Sequence, residues 1–349
     1  MNPILDRQID HPSAWTSAEI GGKEGLMHRM GADHVAALRE LVEKTRHLAP
    51  SDVTRADFDH PLINDMMKGA RHEIMHGKAA IILAGLDMSK TSLEDYSRIY
   101  WGLGTHLGQG AVQSYRRDKI GHVQKEEHNP TGRGYLMDVE LRSHTDFHEI
   151  LSLASFRKAP EGGMSGAVSS LAIHNVIQRE RPELLKALYE GFFHESAGTG
   201  AISAEKVPVF CNVDGVVSCY SHGLFQRAAA KQMGVDLPAD LVEAQDFFAE
   251  VSTRPDVRAD FMLEPGEMFF WHNFMVLHSR TQFHDAPEQK RLLLRLWLNV
   301  PEGGRAMHPS FNERARAMDR IHEAGEPAIH YAKTGVLEDR MKAAVEAAE

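Results

Sequence analysis

The chain has 349 residues, 42% of them hydrophobic, enough for a sizeable core in one large or two modest domains. A net charge of −10 with no basic tract argues against a nucleic-acid surface, and no apolar run approaches the roughly eighteen residues of a membrane helix. Two cysteines, Cys211 and Cys219, match no zinc spacing and are too few for a secreted disulfide framework. They flank a hairpin signal at Asp214-Gly215 and are read as reduced, buried thiols. The start, Met1 to Arg7, lacks an apolar signal core, so a soluble, cytoplasmic protein is expected.

Residues 1–32 read as an extended arm. A helix is predicted over 33–48, with Val35, Leu38, Leu41 and Val42 at helical spacing. Another runs from Ile63 through Met66, Met67, Ala70 and Ile74, and a buried strand spans 79–86. A third helix opens at Ser92 and ends near Leu103. Residues 110–147 read as strands broken by turns, one of them Asn129-Pro130-Thr131-Gly132, and 149–157 as a further strand. After a turn at Glu161-Gly162-Gly163, helices are expected over 167–177 and 182–189, a hairpin over 207–220, and helices near 222–233 and 238–251. Strands at 260–263, 268–277 and 292–300 close the pattern; the polar remainder, 301–349, carries a helix near 336–348.

Strands that occur early, in the middle and late, with helices between them, do not form a βαβ alternation. They fit a mainly β fold with inserted helices, an antiparallel double sheet. The chain shows no repeat and no clean linker, so one domain over 1–349 is expected: an arm and helices over 1–105, a strand-rich core over 106–300 and an extension over 301–349.

In the stretch Arg142-Ser143-His144-Thr145-Asp146-Phe147-His148, a His and an Asp lie two apart, and on a strand such positions share a face. The third donor is expected to be His278, near the end of a distal strand. Two His and one carboxylate make the facial triad of non-haem Fe(II) oxygenases, which leaves coordination positions open. Thirteen residues after His278 comes Arg291-Leu292-Leu293-Leu294-Arg295-Leu296-Trp297. Its two arginines share a strand face inside an apolar run, which is costly unless anions meet them. A dicarboxylate co-substrate supplies such an anion. A zinc hydrolase can also hold its metal with two histidines and a carboxylate, but that reading leaves Arg291 unexplained.

The chain resembles the taurine dioxygenase and 2,4-dichlorophenoxyacetate dioxygenase family of Fe(II)- and 2-oxoglutarate-dependent oxygenases. The resemblance rests on His144-Thr145-Asp146, Glu161-Gly162-Gly163-Met164-Ser165, the stretch Asn273 to Phe283 containing His278, and Arg291 to Trp297. It implies a double-stranded β-helix (jelly roll) with Fe(II) held by His144, Asp146 and His278. It further implies a 2-oxoglutarate carboxylate met by Arg291 and Ser165, with Arg295 supporting the co-substrate or the substrate. Asp146 implies oxygen transfer rather than halogenation, because halogenating relatives carry a small residue there. Two positions depart from the family pattern: His272 stands where an Asp precedes the Asn, and His148 where an apolar residue is usual. Both are candidate substrate contacts, as are Gln113 and Arg295. The expected activity is hydroxylation of an aliphatic C–H in a small acidic or amino-acid-like molecule, with O2 consumed and succinate and CO2 released. The alternatives are desaturation, epoxidation or cyclisation at the same centre, or a non-catalytic cupin-like binding protein. The arm and helices lead to the expectation of a homodimer or higher homo-oligomer.

Overall fold

The protein is described here from a computed structural model that covers residues 2–114, 116–129, 133–195 and 201–325. Its helices are α1 (Ser17–Ile20), α2 (Ala32–Thr45), α3 (Pro61–His76), α4 (Leu93–Gly104), α5 (Ser170–Glu180), α6 (Leu185–Glu190), α7 (Gly223–Met233), α8 (Ala239–Val251) and α9 (Pro309–Ala324). The strands are β1 (Met27–Arg29), β2 (Ala80–Ala84), β3 (Gln109–Gly110), β4 (Gly121–Val123), β5 (Leu141–His144), β6 (Ile150–Arg157), β7 (Glu161–Gly162) and β8 (Ser165–Ser169). After them come β9 (Phe210–Val213), β10 (Val216–Cys219), β11 (Ala259–Phe261), β12 (Met268–His272), β13 (Val276–Arg280), β14 (Phe283–His284) and β15 (Leu292–Asn299).

Two sheets make the frame. The larger runs β1-β2-β12-β6-β15-β3, with β4 also on β15; the smaller runs β11-β8-β13-β5 and is antiparallel throughout. Strand alternation divides the residues of the large sheet between two cores. Ile81, Leu83, Met268, Phe270, Leu294, Leu296 and Leu298 pack against α2, α3 and α4. Ile82, Leu151, Phe269, Trp271, Leu293 and Trp297 share a cluster with Ala167, Val168, Val276 and Leu277 of the small sheet. The odd-numbered positions of β15, Arg295 among them, therefore lie on the face turned toward the small sheet. This is the double-stranded β-helix with inserted helices.

The expected elements recur with local differences. Residues 165–169 are a strand, and the helix expected from 167 begins only at Ser170, where the Ser169 hydroxyl accepts the Ala172 N–H as a cap. The strand expected over 268–277 is two strands, because Asn273 to Met275 turn the chain. Among the described residues, the long strand pattern over 110–147 contracts to three short strands and a 3-10 turn. Helix α9 has no counterpart among the expected elements. Its inward positions include Phe311, Ala315 and Met318 at helical spacing, but also Arg314 and His322, which break the hydrophobic signature. The helix expected near 336–348 and most of the turn at 129–132 lie outside the described residues. Cys211 and Cys219 are buried free thiols, as expected, and burial pushes both upward in pKa. No described helix is long and apolar enough to cross a membrane.

His174 on α5 couples this core to pH. Its Nε2 lies 3.0 Å from the Tyr189 hydroxyl, its Nδ1 is buried without a partner, and burial pulls it from 6.5 down to about 4. Below pH 6.5 the unfolded chain takes up a proton that the folded one refuses, so stability falls as pH falls. Between pH 6.5 and 5 the loss is about 2 kcal/mol. In melting temperature measured against pH, His174→Phe is expected to flatten that slope; an unchanged slope would refute it.

Candidate metal centre

His144, Asp146 and His278 come together across the small sheet. His144 ends β5 and His278 lies on β13; the two are direct cross-strand partners, with ring centroids 4.2 Å apart. Asp146 lies in the bend that follows β5, and one donor atom from each residue falls within 4.8 Å of the others. Its amide N–H donates to the Asn273 side-chain oxygen (3.0 Å), and the Asn273 amide donates back to its carbonyl (3.1 Å). That exchange holds the bend between the sheets in place, and gives Asn273 its role.

The protonation states suit a cation. His144 Nδ1–H donates to the Arg142 carbonyl at 2.7 Å, because a carbonyl can only accept. Its Nε2, 3.8 Å from Asp146 Oδ1, then carries the lone pair. Burial, with His144 adding to it, draws His278 down to about 3, so it is neutral at physiological pH; its Nδ1 is buried with no hydrogen-bond partner. Burial would raise the Asp146 carboxyl, but His278, His144, Arg295 and Arg133 outweigh it and hold it well below the usual carboxylate range. The second oxygen, Oδ2, accepts the Trp297 indole N–H at 3.0 Å and lies 4.0 Å from Arg295 Nη1.

Arg295 stands beside the triad, and Arg291, four residues earlier, is buried as well. Arg291 is 2% exposed and Arg295 6%; Nη1 of the first and Nη2 of the second are buried without a partner. Burial lowers both in pKa, Arg291 to about 10. A buried cation with unmet donors is destabilising until an anion arrives, so this pair fits a carboxylate-bearing cofactor. The Gly162-Gly163 turn gives Arg291 its room. Gly162 has φ +69, and a Cβ there would sit 2.1 Å from the Gln282 carbonyl oxygen; at Gly163 a Cβ would come 3.3 Å from Arg291 Nε. Ser165, two residues on, pairs with Arg280 and so shares the sheet face of His278 and Ala167.

The remaining predicted residues have other partners. Gln113 accepts Arg295 Nε–H at 2.8 Å and donates to the carbonyls of Arg295 and Lys119, so it orients Arg295 rather than offering free polar atoms to a substrate. His272 is corrected as a candidate substrate contact: it sits on the face of β12 shared with Met268 and Phe270, and its Nε2–H donates to Glu149 at 3.2 Å. The turn at 273–275 breaks the alternation that linked it to His278, and Trp271 takes the inward place, 4.9 Å from the His278 ring. His148 is likewise corrected as a pocket residue: its side chain is fully buried, stacks on Trp297 and donates to Asp319 at 2.8 Å. Trp297 and Arg133 had no role in the sequence-based expectations. Trp297 was findable, since it shares strand parity with Arg291 and Arg295. Arg133, whose guanidinium carbon lies 5.9 Å from the Phe147 ring and 6.0 Å from that of Trp297, carried no local signal.

A family model described as taurine catabolism dioxygenase TauD, TfdA family, matches residues 44–297. The chain belongs to this family. It is a non-haem iron oxygenase whose cofactor set is Fe(II) and 2-oxoglutarate, and the triad with its two buried arginines fits both. FR-33289 synthase of Streptomyces rubellomurinus is 25% identical over 317 residues, which cover 87% of this chain and 94% of that protein. Taurine hydroxylase-like protein SAT17 of Stachybotrys chartarum is 24% identical over 314 residues, 84% of this chain and 80% of that protein. Among solved structures, asparagine oxygenase in complex with Fe(II), 2S,3S-3-hydroxyasparagine and succinate superposes with a TM-score of 0.61 at 15% identity, covering 80% of this chain and 98% of that one. The non-haem iron oxygenase OrfP in complex with Fe and alpha-ketoglutaric acid gives 0.58 at 14%, covering 78% and 94%. At these identities the two structures establish the shared fold.

Proposed function

We propose that the protein hydroxylates an aliphatic C–H of a small amino-acid-like or acidic molecule. In the overall balance, substrate C–H, O2 and 2-oxoglutarate give C–OH, succinate and CO2. The observation that carries this reading is the convergence of His144, Asp146 and His278 next to Arg295, in a chain where Arg291 and Arg295 each bury a guanidinium nitrogen that no protein group meets. His144, Asp146 and His278 would hold Fe(II), and the bound metal with 2-oxoglutarate supplies the oxidising power.

The chain's own groups do the rest. The Arg142 carbonyl fixes the His144 tautomer, and burial keeps His278 neutral. Trp297 ties down one Asp146 oxygen and leaves the other for the ion. Arg291, with Ser165, would take the remote carboxylate of 2-oxoglutarate. Arg295, oriented by Gln113, stands between Asp146 and the incoming anions. Arg133 adds a second positive charge near Asp146, and that cationic surround suits an acidic or zwitterionic substrate. The fold likeness to asparagine oxygenase and OrfP, whose complexes hold hydroxylated amino acids, supports the amino-acid class.

Anaerobic addition of Fe(II) and 2-oxoglutarate is expected to give a visible metal-to-ligand charge-transfer band; no band would sink the cofactor assignment. In a succinate-release screen over amino acids, other carboxylates and quaternary amines, the amino acids and carboxylates are expected to stimulate turnover. A band with no such stimulation would remove the substrate class while leaving the cofactor set standing.

A further inference from the structure

We infer that helix α9 is a working part of the metal centre, with Asp319 and His322 as positioning residues that act through Trp297 on Asp146. The inference rests on the assignment of Asp146 as a metal ligand. Helix α9 spans Pro309–Ala324, beyond the segment matched by the family model, which ends at residue 297.

The chain of contacts is short. Trp297 Nε1–H donates to Asp146 Oδ2 at 3.0 Å, leaving Oδ1 on the side of His144 Nε2. A carboxylate held in this way presents one oxygen; if it turned, it would present both and occupy a position that co-substrates need. The indole therefore has to stay in place; Phe147, His148, Arg133 and Arg295 pack around it from the rest of the fold, and α9 adds one further ring and the partner that orients His148. His322 stacks on it, with centroids 5.8 Å apart and planes at 19°, while its Nδ1–H donates to the Val112 carbonyl at 3.0 Å. His148 stacks on it at 5.0 Å and 22° and is itself oriented by Asp319, which accepts its Nε2–H at 2.8 Å. Asp319 and His322 are three residues apart, so both project from one face of the helix. Val112 precedes Gln113, which orients Arg295, so the His322 contact also abuts the segment that sets the second cation.

Asp319 is not needed to keep α9 attached. Phe311 and Met318 are buried, and burial of such side chains contributes about 1.5–3 kcal/mol each. Arg314 donates to the Tyr220 hydroxyl and the Glu195 carbonyl, both at 3.0 Å. A fully buried His paired with a half-buried Asp, stacked on the residue that grips a metal ligand, is costly architecture for a helix that apolar contacts already hold.

The test is titration of the full-length, metal-free protein with Co(II) alone, followed by its visible absorption, with circular dichroism and melting temperature recorded in parallel. Asp319→Ala is expected to weaken Co(II) binding about tenfold or more, the size seen when groups supporting a metal ligand are lost. Asp319→Asn keeps an oxygen for the His148 N–H and is expected to stay within about threefold of wild type. Arg320→Ala, exposed on the same helix, is expected to change nothing. A folded Asp319→Ala that binds Co(II) like wild type overturns the inference, as does a lowered melting temperature with unaltered affinity. If Asp319→Ala does not fold, His322→Leu decides: weakened binding supports the inference and unaltered binding overturns it. Wild-type protein that binds no Co(II) refutes the metal assignment itself, and this inference with it.

Discussion

His278→Ala is expected to leave a folded protein that binds no Fe(II) and releases no succinate. The side chain lies on β13, whose backbone pairs with β5 and β8 do not depend on it, so the sheet should survive. What goes is one of three donors and the face against which Trp271 packs. Loss of a supporting group costs a metal site roughly 10–100-fold, so loss of a ligand should exceed 100-fold. Truncation also removes a buried imidazole that resists protonation, so the metal-free variant should lose less stability on acidification than the wild type. Co(II) titration and the anaerobic charge-transfer band read the first effect, and melting temperature at pH 5 and 7 reads the second. Metal affinity within tenfold of wild type would mean that His278 is not a ligand.

Arg291→Met should separate stability from function. Arg291 is 2% exposed and its Nη1 has no partner, while the neighbouring carboxylate, Asp285, takes the Arg291 backbone N–H. Met has similar length and no charge, so the metal-free protein should melt at the same temperature or higher, since a buried charge without its counterion is a net cost. The apparent affinity for 2-oxoglutarate should fall by about 10²–10⁴-fold, the equivalent of the roughly 3–5 kcal/mol lost when one partner of a buried pair is removed. Fe(II) binding without the co-substrate should hold, because Arg291 is not among the three donors. A variant that melts well below wild type yet keeps its KM for 2-oxoglutarate would show that Arg291 serves the fold and not the cofactor. Arg291→Lys is not expected to rescue, since an ammonium lacks the planar fork that grips a carboxylate with two bonds.

The contrast between these two residues also shows how the site is written into the chain. His278 was legible because it ends a strongly apolar strand run, where an imidazole needs a reason. Arg291 and Arg295 were legible because alternation along an apolar run gives them one face, away from Leu294 and Leu296, which do pack against the helices. Where alternation was carried through a turn, it failed. His272 and His278 share parity in the sequence, but the residues 273–275 between β12 and β13 reset it, and His272 turns to Glu149. His148 failed for the same reason, because β5 stops at His144 and the chain bends before it. Gln113, a candidate substrate contact by sequence, is spent on Arg295.

The amino-acid sequence by itself determined the strand and helix periodicities, the donor types of the metal set, and the pairing of arginines inside an apolar strand, because each is a local pattern with a local physical cost. Only the tertiary structure decided which polar groups find one another over long separations. Asp146 meets Trp297, Gln113 meets Arg295, and His148 meets Asp319 across gaps of 151, 182 and 171 residues. Hydrogen-bond partners at such distances leave no periodic trace, and the helix that carries Asp319 hides its buried face behind an arginine and a histidine. Those contacts turn three scattered candidate donors into a site with a fixed geometry.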